Sequence, residues 1–282
     1  MTAVTQLAAW HGARPVLALM GEFSAGKSTL LNLLLGHVVL PTRATATSMP
    51  AVWLTHGTTR TVTGLRPDGS CETLDTAALA HGGFDDFLAL RITDPAPMLE
   101  RCDVLDTPGI SDPRLPQGRI QMLAAHVDMV VWCSPATQLW RQSEKAMWSA
   151  LPHDLRARSV LAVTRADVLS ERDLTKVLAR ATRETARLFR AICPLAAPLA
   201  LSGDAQSWQT SGAAILMEEI ASSLSMVPQA EITSAPDSQP IDLFASLEKL
   251  SAALADVSPS TAIGQSPPIP KRQGRSLCCG TC

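Results

Sequence analysis

The 282-residue sequence lacks the features that would place it in several large protein classes. No stretch approaches the ~18–20 consecutive apolar residues of a membrane-spanning helix, and the first residues carry no signal-peptide pattern. Neither sign of charge dominates: 24 Lys and Arg stand against 26 Asp and Glu, for a net charge of -2. That balance removes the sequence-wide electrostatic reason to expect DNA or RNA as a partner. The seven cysteines form no disulfide framework, because Cys71, Cys102, Cys133 and Cys193 are scattered and Cys278, Cys279 and Cys282 crowd the end. A reducing, cytoplasmic setting is the expectation. None of the six histidines has metal-ligand spacing, and Trp53, Trp132, Trp140 and Trp148 sit in strand or helix runs that read as core.

What is present is a 46% hydrophobic, 18% charged composition that suits a globular fold. Pro15–Met20 is a short apolar run stopping at Gly21, which reads as a buried strand. From Lys27 a helix is expected, ending at Gly36. Ala51–Thr55 and Thr59–Leu65 read as strands. Arg66-Pro-Asp-Gly69 supplies a turn into a further strand near Cys71–Leu74, and residues 75–90 read as helical. Strands are expected at Cys102–Leu105, Val127–Cys133 and Val160–Val163, a long amphipathic helix over Glu171–Ile192, a last strand at Leu199–Leu201 and a last helix at Ala213–Leu224. Continuous apolar strands alternating with helices imply an α/β domain, a mostly parallel sheet covered by helices on both faces, over residues 1–227. Residues 228–282 hold seven of the 20 prolines and many serines, so they read as a flexible tail with one short helix at 241–254.

Five segments bear on chemistry. Gly21-Glu22-Phe23-Ser24-Ala25-Gly26-Lys27-Ser28, followed by Thr29, fits the Gly-x4-Gly-Lys-Ser/Thr phosphate loop between a strand and a helix. Glycines let the backbone N–H groups and the helix N-terminus face a phosphate. Lys27 then reaches the β- and γ-phosphates, and the Ser28 hydroxyl suits Mg²⁺. Asp106-Thr-Pro-Gly109 ends an apolar strand, where the Asp106 carboxylate serves the Mg²⁺ shell and the Gly109 N–H senses a γ-phosphate. Thr164-Arg165-Ala-Asp167 follows another strand. A buried Asp167 accepting from guanine N1 and N2 would favour GTP over ATP, with the Arg165 guanidinium stacking on the base. Ser202-Gly203, placed after the expected last strand, falls where a weaker base-contacting element belongs. Between the first helix and second strand, Leu40–Pro50 offers Thr47, with Thr45 second, as the switch threonine for Mg²⁺ and γ-phosphate, and Arg43 as a neighbouring cation.

These segments together resemble the GTPase domain of bacterial dynamin-like proteins over about residues 14–225. The hairpin between the switch and Asp106, and the long path between the motifs, resemble that family as well. The resemblance implies a P-loop GTPase fold and a GTP-hydrolysing, Mg²⁺-dependent switch with Lys27, Thr47 and Gly109 at the reacting phosphate. It also implies a homodimer formed across the nucleotide and peripheral membrane association. Two departures bear on rate: Phe23 and Ile110 stand where the water-positioning glutamines of eukaryotic dynamins and of Ras-like enzymes fall, so slow basal hydrolysis is expected. Era-type, RNA-associated GTPases also carry a hydrophobic residue at the Ile110 position, and a poorly hydrolysing GTP-binding scaffold is a third reading. In the tail, Lys271, Arg272 and Arg275 precede the terminal cysteines and loosely resemble a basic, lipidated terminus. Exposed thiols on an unstructured tail are the plainer expectation.

Overall fold

The computed structural model describes residues 2–40, 49–80, 82–112, 118–202 and 204–227. The expected tail, its helix at 241–254 and the segment holding Arg43, Thr45 and Thr47 lie outside the described residues.

Nine strands form one sheet: β1 Val16–Gly21, β2 Ala51–His56, β3 Thr61–Leu65, β4 Cys71–Leu74, β5 Ala89–Asp94, β6 Asp103–Asp106, β7 Met129–Pro135, β8 Val160–Thr164 and β9 Ala191–Leu195. Their order is β4-β3-β5-β2-β6-β1-β7-β8-β9. The run β6-β1-β7-β8-β9 is parallel throughout, so the C-terminal ends of β1, β6 and β8 share one edge of the sheet. β2 enters antiparallel to β6, and β3 is antiparallel to both β4 and β5, which makes the other flank mixed. Ligand crevices of open α/β sheets lie at the carboxyl ends of strands, so this topology already selects the edge that carries the chemistry.

Helices cover both faces because strand side chains alternate. Leu17 and Leu19 point into one core with helices α2 (Lys27–Leu35) and α9 (Ala213–Leu224). Val16, Ala18 and Met20 point into the other, with α1 (Ala3–Trp10), α3 (Arg119–Ala124), α4 (Gln142–Ser149), α5 (His153–Ala157) and α6 (Glu171–Thr185). In the second core Trp132, Trp140, Trp148 and Phe189 form one aromatic cluster. Its rings meet edge to face at 5.2–6.3 Å, apart from the stacked Trp148–Phe189 pair at 4.0 Å.

Three sequence expectations change. Residues 75–90 form no long helix: a short 3₁₀ turn, Thr76–Ala80, is followed by glycines with φ of +78° and +90°, and then β5. Asp75 Oδ1 accepts the Ala77 N–H and fixes a turn, while Ala89–Asp94 finds two strand partners, so tertiary pairing overrides local propensity. The helix expected to reach Ile192 ends at Thr185, since Ala191–Leu195 pairs along β8. Leu188 and Ile192 still pack into the aromatic core, which is why the helical spacing looked continuous. Finally, Leu199–Leu201 is not a strand; α7 (Ala197–Ala200) occupies this stretch with Pro198 in its first turn, and α8 (Ala205–Thr210) follows.

Candidate nucleotide site

At the end of β1 the chain must curl without side-chain interference. Gly21 has φ +143°, and a Cβ there would lie 2.1 Å from the Cys133 carbonyl oxygen of β7, so only glycine fits. Ser24 (φ +58°) and Gly26 (φ +90°) complete the curl, and α2 starts at Lys27. Lys27 is buried, and its Nζ donates to the Gly21 carbonyl at 3.1 Å and the Glu22 carbonyl at 2.8 Å. Two of three ammonium donors thus brace the loop, leaving one for an acceptor in the cleft that Lys27 lines. Burial pushes the Lys27 pKa down, opposed by Asp106, Cys133 and Glu22.

Asp106 closes β6 in register with Leu19 of β1, which brings its carboxylate under the loop. Its Oδ2 accepts from Ser28 Oγ at 3.4 Å, whereas its Oδ1 is buried with no hydrogen-bond partner. Burial raises this carboxyl to about 6, against the pull of Lys27 and Ser28. A buried, half-satisfied carboxylate beside a hydroxyl is an oxygen donor set of the kind Mg²⁺ takes, so the residues present fit that ion.

The Asp106–Gly109 segment is fastened to the loop. Thr107 N and Oγ1 both donate to the Leu19 carbonyl, at 3.2 and 2.8 Å, and Ile110 N donates to the Gly21 carbonyl at 3.2 Å. Gly109 lies so close that a Cβ would come within 2.7 Å of Phe23 N. From β8, Thr164 Oγ1 donates to the Ala25 carbonyl at 2.7 Å, and Arg165, itself at φ +56°, donates to the Ser24 carbonyl at 2.7 Å. The arginine in place of the usual lysine therefore clamps the loop from its rim.

Of the residues singled out in the sequence, Phe23 through Thr29, Asp106, Gly109 and Arg165 line one cleft, with Met49 and Pro50, and the Arg165 guanidinium expected to stack on a base is instead bonded to Ser24. Asp167 sits in the turn after β8 but is exposed, not buried as expected. Ser202 does not directly follow a strand: β9 ends seven residues earlier at Leu195, α7 intervenes, and the Ser202 hydroxyl donates to the Leu199 carbonyl and the Asp204 carboxylate. Thr47 lies outside the described residues. Gly21 and Glu22, also assigned to the loop, do not line the cleft, and nothing in the sequence marks the buried Glu22 side chain as accepting hydrogen bonds from the hydroxyls of Ser111 and Ser143. No spacing pattern signals that contact, since the partners lie 89 and 121 positions away. Among the described residues no group of three His, Cys, Asp or Glu side chains could hold a metal ion.

The dynamin family model (Dynamin_N) matches residues 17–166, more than half the chain. Dynamin-like protein 2 of Campylobacter jejuni is 26% identical over 207 residues, covering 72% of this chain and 34% of the relative. The isoniazid-induced protein IniC of Mycobacterium tuberculosis is 33% identical over 102 residues, 34% of this chain and 21% of that protein. A solved bacterial dynamin pair, described as oligomerised and as a mechanism for long-range sensing and tethering of membranes, superposes with a TM-score of 0.56. It does so at 19% identity over 88% of this chain and 38% of its own, a likeness of fold. The chain thus spans about a third or less of the curated relatives it matches and 38% of that dynamin chain. With the phosphate loop, the Asp106–Gly109 segment and the sheet order all in place, the chain belongs to the dynamin family.

Proposed function

We propose that this chain binds GTP with Mg²⁺ in the cleft between the phosphate loop, Asp106–Gly109 and Arg165, and hydrolyses it to GDP and phosphate as a dynamin-like switch. The observation that carries this reading is the buried, unpartnered Asp106 Oδ1 beside Ser28 Oγ under a phosphate loop. Backbone N–H groups of the loop and the α2 N-terminus bind the phosphates. Lys27 offers its remaining donor to the β- and γ-phosphates, and Ser28, Thr47 and Asp106 would hold the ion with its water shell. When bound, the ion neutralises charge on the phosphate oxygens. The Gly109 N–H donates to the terminal phosphate, and Asp167 reads guanine from the exposed rim.

Neither Phe23 nor Ile110 orients water through a side-chain hydrogen bond, which supports slow basal turnover. Phe23 and Val168 are 50% and 57% exposed on loops that follow β1 and β8 at the same sheet edge. An exposed aromatic ring lining the nucleotide cleft suits a homodimer formed across it, in which the partner orders the switches. No helix among the described residues is long and apolar enough to cross a membrane. Peripheral membrane association is proposed by analogy with the membrane-tethering dynamin pair.

The test is GTP turnover per molecule across protein concentration. A rate that rises with concentration supports dimer-activated hydrolysis, and a fast, concentration-independent rate refutes it. Tight GTP binding without turnover at any concentration would make the chain a binding scaffold instead.

A further inference from the structure

The side chain of Glu22 plays no part in the phosphate loop's usual work, which is done by backbone N–H groups, Lys27 and Ser28. It is only 6% exposed, and its partners are hydroxyls: Ser111 Oγ donates to one carboxylate oxygen and Ser143 Oγ to the other. Ser111 lies two residues beyond Gly109, and Ser143 is in the first turn of α4. Removing a carboxylate from water costs free energy that two neutral hydroxyl donors and the nearby charge of Lys27 offset only in part, so the contact is a poor device for stability alone. It does have positional value. The bonds from Thr107 and Ile110 to β1 fasten the early part of the segment, and the Ser111–Glu22 bond fastens its end to the loop itself.

We propose that Glu22 is a positioning residue: its carboxylate ties both Ser111 and the start of α4 to the phosphate loop, and so sets where the Gly109 N–H meets a terminal phosphate. This rests on the GTP reading above. Charge-assisted hydrogen bonds are the strong class. Losing one that acts only on the terminal-phosphate contact discriminates GTP from GDP, because GDP has no group at that position.

The experiment uses the full chain with Glu22→Ala, Glu22→Gln, Ser111→Ala and the double variant Glu22→Ala/Ser111→Ala. Amide hydrogen exchange over residues 107–112 is measured without nucleotide, and affinity is measured for fluorescent GDP and a non-hydrolysable GTP analogue. Each alanine variant is expected to speed exchange at Ile110 and Asp112 by about tenfold and to weaken the GTP analogue by about tenfold. GDP affinity stays within about twofold, and the double variant is no worse than either single one. Glu22→Gln restores part of the loss, because a neutral amide accepts from one hydroxyl and donates to the other without the carboxylate's charge. Unchanged exchange, equal losses of GDP and GTP-analogue affinity, an additive double variant or a failed glutamine rescue would each overturn the proposal. Ser111 is at the surface, so its variant keeps the test intact should Glu22→Ala fail to fold. An unmutated protein that binds neither nucleotide would overturn the GTP reading instead, and the exchange rates alone would then decide whether the tether exists.

Discussion

Replacing Gly109 by alanine puts a single methyl group at the closest approach between the Asp106–Gly109 segment and the phosphate loop. The new carbon would stand 2.7 Å from Phe23 N, 2.8 Å from Phe23 Cα and 3.1 Å from Phe23 Cβ. Comfortable carbon contacts begin near 3.5 Å, so the segment must retreat by roughly 0.7 Å. Two of the opposing atoms are backbone in a loop already pinned by Lys27, Thr164 and Arg165, so the loop itself cannot yield cheaply. Overpacking of this kind costs about 1–3 kcal/mol. The Ile110–Gly21 bond, already 3.2 Å long, would be lost with the retreat, for about 1 kcal/mol more. At roughly 2–4 °C per kcal/mol for a domain of this size, the melting temperature should fall by about 5–10 °C. The Gly109 N–H moves with the segment, so affinity for a non-hydrolysable GTP analogue should fall about tenfold or more while GDP affinity holds. Scanning fluorimetry and nucleotide titration read both quantities. A variant that melts within a degree of the parent and keeps its GTP-analogue affinity would show that the segment does not lie against the loop.

Other perturbations test separate links. Asp167→Asn should shift base preference from guanine toward xanthine, since the carboxamide reverses one donor–acceptor pairing at the base edge. Competition in which the unmutated protein takes ATP and GTP equally would refute the guanine assignment. Glu144→Ala should destabilise the domain by about 2–4 kcal/mol. It strips an acceptor from Trp132 Nε1 at 2.9 Å, Ser134 Oγ at 3.1 Å and Arg141 N at 2.7 Å, and unchanged thermal stability would refute the network. Asp94 tests pH dependence. Burial alone would raise its pKa, but hydrogen bonds from Arg60 and His37 outweigh burial and hold it below the usual carboxylate value. Its stabilising contribution is therefore present above the unfolded carboxylate pKa near 4 and is lost as pH falls through the lower, folded value. Asp94→Asn should lower the melting temperature at pH 7 and progressively less in acid; an equal loss at pH 3 and pH 7 would refute the ion-pair account.

The phosphate loop, the Asp106–Gly109 turn and the Thr164–Asp167 segment were legible in the sequence because each is local: a strand end, a glycine and a polar side chain within a few positions. The strand-rich α/β class followed from apolar runs, and Ala213–Leu224 was read as a helix to the residue. Helical spacing misled where residues of one face belong to successive elements, as at Leu188 and Ile192, since packing against a shared core leaves a helix-like rhythm across a break. Residues 75–90 were misread because a strand with partners on both sides needs no local signal. Which segments meet was decided by the tertiary structure alone. Only the parallel order β6-β1-β7-β8 brings three motifs, spread over nearly 150 positions, to one sheet edge. Only the folded backbone places the Cys133 carbonyl against Gly21, the Arg165 guanidinium on Ser24, and the hydroxyls of Ser111 and Ser143 on Glu22. The sequence by itself determined the chemistry, because residue type and short spacing specify a phosphate cradle; the contacts that aim it are long-range, and no local pattern encodes them.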